Sequence, residues 1–132
     1  MAYRNALGER TQESNVLAWA ITQNNLAAAM QGLGEHEEDI ASLEASIPAY
    51  EMALKVLNAD TVPLVWAMVT ANRASALYAL AAEADNIDMA ETSVTEFEKL
   101  AELFDGTEYA DYQASVLERK QQAMALVASL QV

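Results

Sequence analysis

Trp19, Leu26, Met30 and Leu33 stand at intervals of seven, four and three residues, which places them on one stripe of a 3.6-residue helix. That spacing predicts a helix over about Asn15–Leu33, with these four side chains as its apolar face. Ile40, Leu43, Ile47, Tyr50, Leu54 and Leu57 predict a second long helix over about Glu38–Asn58. Pro48 falls inside that helix, removes a backbone donor and crowds the preceding turn, so a kink or break is expected near Ser46–Pro48. A further helix is predicted from Pro63, a residue suited to a first helical turn, through Trp66, Leu77 and Leu80 to about Ala84. Another covers about Ile87–Phe104, and a last one reaches Leu130 with Thr107 as its expected cap. A short leading helix is expected over about Ala2–Gln12. Turns are expected where polar residues and glycines interrupt the apolar period. These are Gly32 and Gly34 with Glu35–Asp39, Asn58–Pro63, Glu83–Asn86, and Asp105–Gly106, where glycine takes a left-handed conformation cheaply.

The apolar pattern recurs along most of the chain. Trp19-Ala20 returns 47 residues on as Trp66-Ala67, Ala2-Tyr3 as Ala49-Tyr50, and Ala6-Leu7 as Ala53-Leu54. At the same interval Leu17 matches Leu64, Asn25 matches Asn72, Ala27 matches Ala74, Ala29 matches Ala76, Leu33 matches Leu80 and Ile40 matches Ile87. A register held that long without slippage marks a repeated supersecondary unit. It carries Asn72 to Arg119, Leu77 to Met124 and Leu80 to Val127 in the last helix, but Trp66 falls on Gln113, as in terminal units that lose consensus residues. The expected organisation is one domain: a half repeat over 1–13, repeats over 14–58 and 61–104, and a capping helix over 107–131.

The stretch WAITQNNLAAAMQGLGE, followed by LEASIPAYEMALKVL, resembles the tetratricopeptide repeat family, in its long-period bacterial form with WAxxQNNL-type units. The residues that carry the likeness are Asn25, Leu26, Ala27 and Met30, then Ser46, Tyr50 and Ala53. The unit exceeds the family's common period of about 34 residues. Ala27 and Ala74 stand where the family prefers glycine, and Arg73 takes the place of Leu26 in the second unit. The resemblance implies an all-α fold, an α-solenoid of antiparallel helix pairs with about two and a half repeats and a terminal capping helix. Small residues such as Ala27, Ala53, Ala74 and Ala76 would let helix axes approach closely. Trp19 and Trp66 are then expected in the core between stacked helices.

Composition narrows the function. Ala and Leu dominate the apolar 53% of the 132 residues, and only four glycines and two prolines occur, which suits helices better than sheet. Twenty acidic against seven basic side chains give a net charge of −13, a field that repels nucleic-acid backbones and anionic membranes and favours basic protein segments. Cysteine is absent, so thiol catalysis, disulfides and cysteine-based metal sites are excluded. The opening residues carry charges without an apolar core, unlike a secretory signal, and a cytoplasmic location is expected. His36, the single histidine, sits in Glu35-His36-Glu37-Glu38-Asp39, which lacks a two-histidine metal spacing and the glycine of a calcium loop, and reads as a solvated acidic turn. No nucleophile–base set, phosphate-cradling loop or dinucleotide fingerprint appears, so neither an enzyme nor a cofactor is expected.

The resemblance implies that the first helix of each pair lines a concave face. The matching stripe is Ile21, Asn25, Ala28 and Gly32, then Met68, Asn72, Ser75 and Ala79, then Ser115, Arg119, Gln122 and Leu126. The candidate peptide-binding residues are Asn25, Asn72, Arg119, Ser75, Tyr78, Asn24 and Gln122. An asparagine amide can both donate to and accept from a peptide backbone, and an arginine can hold a carboxylate through two parallel hydrogen bonds. Asn25 and Asn72 could equally tie neighbouring helices together. The expected function is a non-enzymatic scaffold that binds a peptide or protein segment, one favoured by the acidic field if it is basic. A self-assembling module, a homo-oligomer joined through exposed repeat ends such as Tyr3 and Leu7, is the alternative. A third reading is an acidic decoy of nucleic acid.

Overall fold

A computed structural model describes the backbone of residues 2–131 and the side chains of residues 15–131. Five helices follow one another: α1 (Ala2–Glu37), α2 (Ile40–Val56), α3 (Pro63–Ala84), α4 (Ile87–Leu103) and α5 (Ala110–Leu130). Each packs on the next, and α3 also touches both α1 and α5, an arrangement consistent with a helical repeat. No strand occurs among the described residues.

The chain departs from the sequence expectations where no residue forces a break. The expected short leading helix and its successor are one continuous α1, because Glu13-Ser14-Asn15 contains neither glycine nor proline to stop it. The repeat-end side chains Tyr3 and Leu7 lie outside the described ones. Gly32 and Gly34 sit within α1, and the turn waits for Glu38. Pro48 does not interrupt α2. Thr107 does not cap α5. Its hydroxyl donates to the Phe104 carbonyl at 2.6 Å and accepts from the Tyr109 N–H at 3.2 Å, while Tyr109 holds the cap position without a side-chain bond. Gly106 is left-handed, as its residue type requires (φ +72°).

The 47-residue period is built into the backbone. Glu38 (φ 55°) and Asp85 (φ 52°) both turn left-handed after a long helix. Asp39 and Asn86 then cap the next helix, accepting from the Ala41 and Met89 N–H groups. The Asp39 N–H closes on the Gly34 carbonyl at 2.8 Å and the Asn86 N–H on that of Ala81 at 3.0 Å. Ser46 and Ser93 are both fully buried, and each donates to the carbonyl three residues back at 2.7 Å.

Packing repeats at the same interval. One core gathers Ala20, Ala27, Tyr50, Ala53, Val69 and Ala76. Advancing each by 47 gives Ala67, Ala74, Phe97, Leu100, Val116 and Ala123, all members of the other core. Ion pairs repeat too: Arg73 to Glu51 at 2.7 Å joins α3 to α2, and Lys120 to Glu98 at 3.8 Å joins α5 to α4. Both pairs are exposed enough that each contributes less than about 1 kcal/mol.

Helices α1, α3 and α5 therefore carry two seams at 3–4 spacing. An inner seam meets the following helix: Leu17, Ala20, Asn24, Ala27, Gln31 and Gly34 in α1, and Leu64, Ala67, Ala71, Ala74, Tyr78 and Ala81 in α3. An outer seam meets the preceding helix: Trp66, Val69, Arg73, Ala76 and Leu80 in α3, and Gln113, Val116, Lys120, Ala123 and Val127 in α5. This corrects the sequence reading of α1. Its buried stripe is Ala20, Ala27 and Gly34, one residue off the expected Trp19, Leu26 and Leu33, which are 41%, 49% and 54% exposed. Trp66 is half-buried against a core, whereas Trp19 is exposed.

Candidate binding groove

Helices α1, α3 and α5 lie side by side, and the stripe expected to be concave runs along them. Ile21, Asn25, Ala28, Gly32 and Met68 are exposed there, and Asn72, Ser75, Ala79 and Arg119 are half-buried. A cavity of about 440 Å³ opens on this face. α1 contributes Gln31 and Glu35 to its wall, α3 contributes Ser75, Tyr78 and Glu83, and α5 contributes Arg119 and Gln122.

Four of the seven candidates from sequence, Ser75, Tyr78, Arg119 and Gln122, thus line one cavity. The other three do not join it. Asn72 donates to the Asn24 amide oxygen at 3.0 Å and fastens α3 to α1. Asn25 is exposed and outside the cavity wall. Its expected counterpart role to Asn72 falls to Asn24, one residue earlier and turned toward α3.

The wall has both signs of charge. Arg119 reaches the Ser75 hydroxyl at 3.5 Å, and its guanidinium faces none of the carboxylates in an ion pair; among the described residues the ion pairs are those of Arg73 and Lys120. Glu35 and Glu83 stand at the C-terminal ends of α1 and α3, where the helix dipoles add further negative potential. The groove therefore offers donors from α5 and an anionic rim from α1 and α3.

Gln31, Glu35 and Tyr50 were legible only in part. The buried Tyr50 hydroxyl donates to Gln31 Oε1 at 2.6 Å, and Gln31 Nε2 donates to Glu35 at 2.9 Å, so the core braces the rim. Gln31 and Glu35, four residues apart, lie together on one flank of the candidate stripe, and Tyr50 reads simply as packing. Burial, aided by the Glu35 charge, pushes the Tyr50 phenol up to about 12. A phenol whose folded pKa is raised stabilises fully below its ordinary value near 10, and that contribution drains away as pH climbs toward 12. Tyr50→Phe should cost about 0.5–1.5 kcal/mol at neutral pH and flatten the alkaline fall in melting temperature. A variant whose melting temperature drops as steeply as the parent's across that range would remove Tyr50 from the account. Tyr112 leaves a residue of the effect: its hydroxyl donates to the Ala67 carbonyl at 3.0 Å, and burial raises its pKa against the opposing charge of Arg119.

His36 is exposed in the last turn of α1, and no cluster of three or more metal-ligating side chains occurs among the described residues. No helix among the described residues is long and apolar enough to cross a membrane. No family model, no curated protein and no solved structure matches the chain.

Proposed function

We propose that this chain is a non-enzymatic scaffold of the tetratricopeptide-repeat type, and that it holds an extended peptide segment in the groove along α1, α3 and α5. The supporting observation is the cavity in which Ser75, Tyr78, Arg119 and Gln122 converge from two helices that the repeat brings side by side. An extended segment presents carbonyls and N–H groups along its length. Gln122 and Ser75 can answer both, and Arg119, free of ion pairing, takes a carbonyl or carboxylate. A basic side chain on the segment would settle against Glu35 and Glu83, which suits the net charge of −13. The contact is largely polar and wet, so affinity should fall as salt rises without vanishing.

Selection from a random peptide library against the protein, with Arg119→Ala carried in parallel as the control, tests this reading. Among the described residues Arg119 makes one long hydrogen bond, so its removal should leave the melting temperature unchanged. Selected peptides should bind the variant at least tenfold more weakly than the parent. Peptides that bind both proteins equally would place recognition elsewhere.

A further inference from the structure

The two ends of the helix row are finished differently. The inner seam of α5 has no helix to cover it, and its residues Asp111, Ala114, Glu118, Gln121, Ala125 and Ala128 are all exposed and all charged, polar or small. That is the polar outer face expected where a repeat array meets water. The outer seam of α1 is equally uncovered, yet it reads Trp19, Thr22, Leu26, Ala29 and Leu33, every one exposed. Its two large flanking residues and its centre are apolar.

Its central position is the informative one. In α3 and α5 the corresponding residue is a base, Arg73 or Lys120, that pairs with a glutamate on the preceding helix. In α1 it is Leu26. A helix like α2 or α4 laid on α1 would bring its glutamate against Leu26 with no partner, so α1 is not built to receive one. What covers this seam must be uncharged at its centre. From Asn15 to Gly34 the chain has no charged residue, although the whole carries −13. Two copies repel one another over most of their surfaces, and this helix is where they can meet without opposed carboxylates. The seam also reads large, small, large, small, large in either direction, with Leu26 at its midpoint. A twofold axis sets this same uncharged patch against itself, and 3–4 spacing suits two antiparallel helices packed side by side.

We infer that a second copy of this chain covers the seam, with α1 packed antiparallel on its mate about an axis through Leu26 and Trp19 set against the mate's Leu33 face. One helix face makes a small interface, so the dimer is reversible and its population depends on concentration. This pairing leaves the groove of α1, α3 and α5 open, and it holds or fails independently of peptide binding.

Sedimentation equilibrium over three decades of concentration, from the low micromolar upward, tests it with Leu26→Glu and Leu26→Arg. The parent should pass from monomer to dimer. Each variant alone should remain monomeric at every concentration, since like charges face each other across the axis, with melting temperatures kept because the position is half-exposed. An equimolar mixture of the two should dimerise again, a rescue that also shows both variants to be folded. A parent that stays monomeric throughout would overturn the inference and leave the seam to another protein's helix. So would a dimer that survives Leu26→Glu. Tighter association of Leu26→Arg alone would overturn it too, by indicating an occupant of the α2 kind.

Discussion

Replacing Phe97 by alanine should destabilise the fold by about 3–5 kcal/mol, the range for emptying a buried aromatic site. Phe97 is fully buried where α3, α4 and α5 meet, and its neighbours include Ala67, Ala71, Ala74 and Ala123. Alanines permit close helix approach, but they cannot extend to refill a void. The ring's volume would remain empty, and the cost should fall at the upper end of that range. Against a total stability of about 5–15 kcal/mol, this is a large fraction. The melting temperature should fall by about 10–20 °C, measured by calorimetry or circular dichroism. Tyr50→Ala, at the matching place in the other core, should behave alike, and a loss under about 1 kcal/mol at either site would contradict the twin-core description.

Those twin cores explain what the sequence made legible. Repetition at 47 residues survives because each position faces the same kind of neighbour twice: Ala20 and Ala67 meet the following helix, and Val69 and Val116 meet the preceding one. The period therefore marked the repeated unit and the turns after its long helices, while the core stripe of α1 lay one residue away from the one expected. It could not reveal which helix lacks a neighbour. Trp19 and Trp66 look equivalent in sequence, yet Trp66 is half-buried against the core of α3, α4 and α5 whereas Trp19 is exposed, so the tryptophan pair is a poor guide to burial. The ion pairs were open to the same periodic reasoning, since Glu51 and Arg73 advance to Glu98 and Lys120, but opposite charges 22 residues apart give no signal until the hairpin geometry is known. In the groove, the helical stripe located Ser75, Arg119 and Gln122. The choice between Asn24 and Asn25 depended on a rotation of about 100° around α1, finer than spacing fixes before the packed face is known.

A close contact at Gly34 has no counterpart of the same residues in the second unit, and it yields the second large effect. Gly34 faces Leu43 in the first unit, whereas the equivalent pair in the second is Ala81 and Ala90. A Cβ at Gly34 would stand 2.7 Å from Leu43 Cγ, 2.9 Å from its backbone nitrogen and 3.1 Å from the Asp39 carbonyl oxygen. Two of those three atoms belong to backbone and move only with the turn. Gly34→Ala should therefore cost about 1–3 kcal/mol through overpacking, reversing the usual gain of nearly 1 kcal/mol for alanine over glycine in a helix. Leu43→Ala alone should cost about 2–5 kcal/mol by opening a cavity at a fully buried site. Together the two recreate the alanine pair that the second unit already holds at the same place, under the same closing hydrogen bond. Removing Leu43 Cγ gives the new methyl both space and a void to fill. The double variant should be less destabilised than the sum of the singles by about 1 kcal/mol or more, read as the coupling in a denaturant-unfolding cycle. Additivity within about 0.5 kcal/mol would mean that the clash is set by backbone alone, and that the glycine serves the turn and not the leucine.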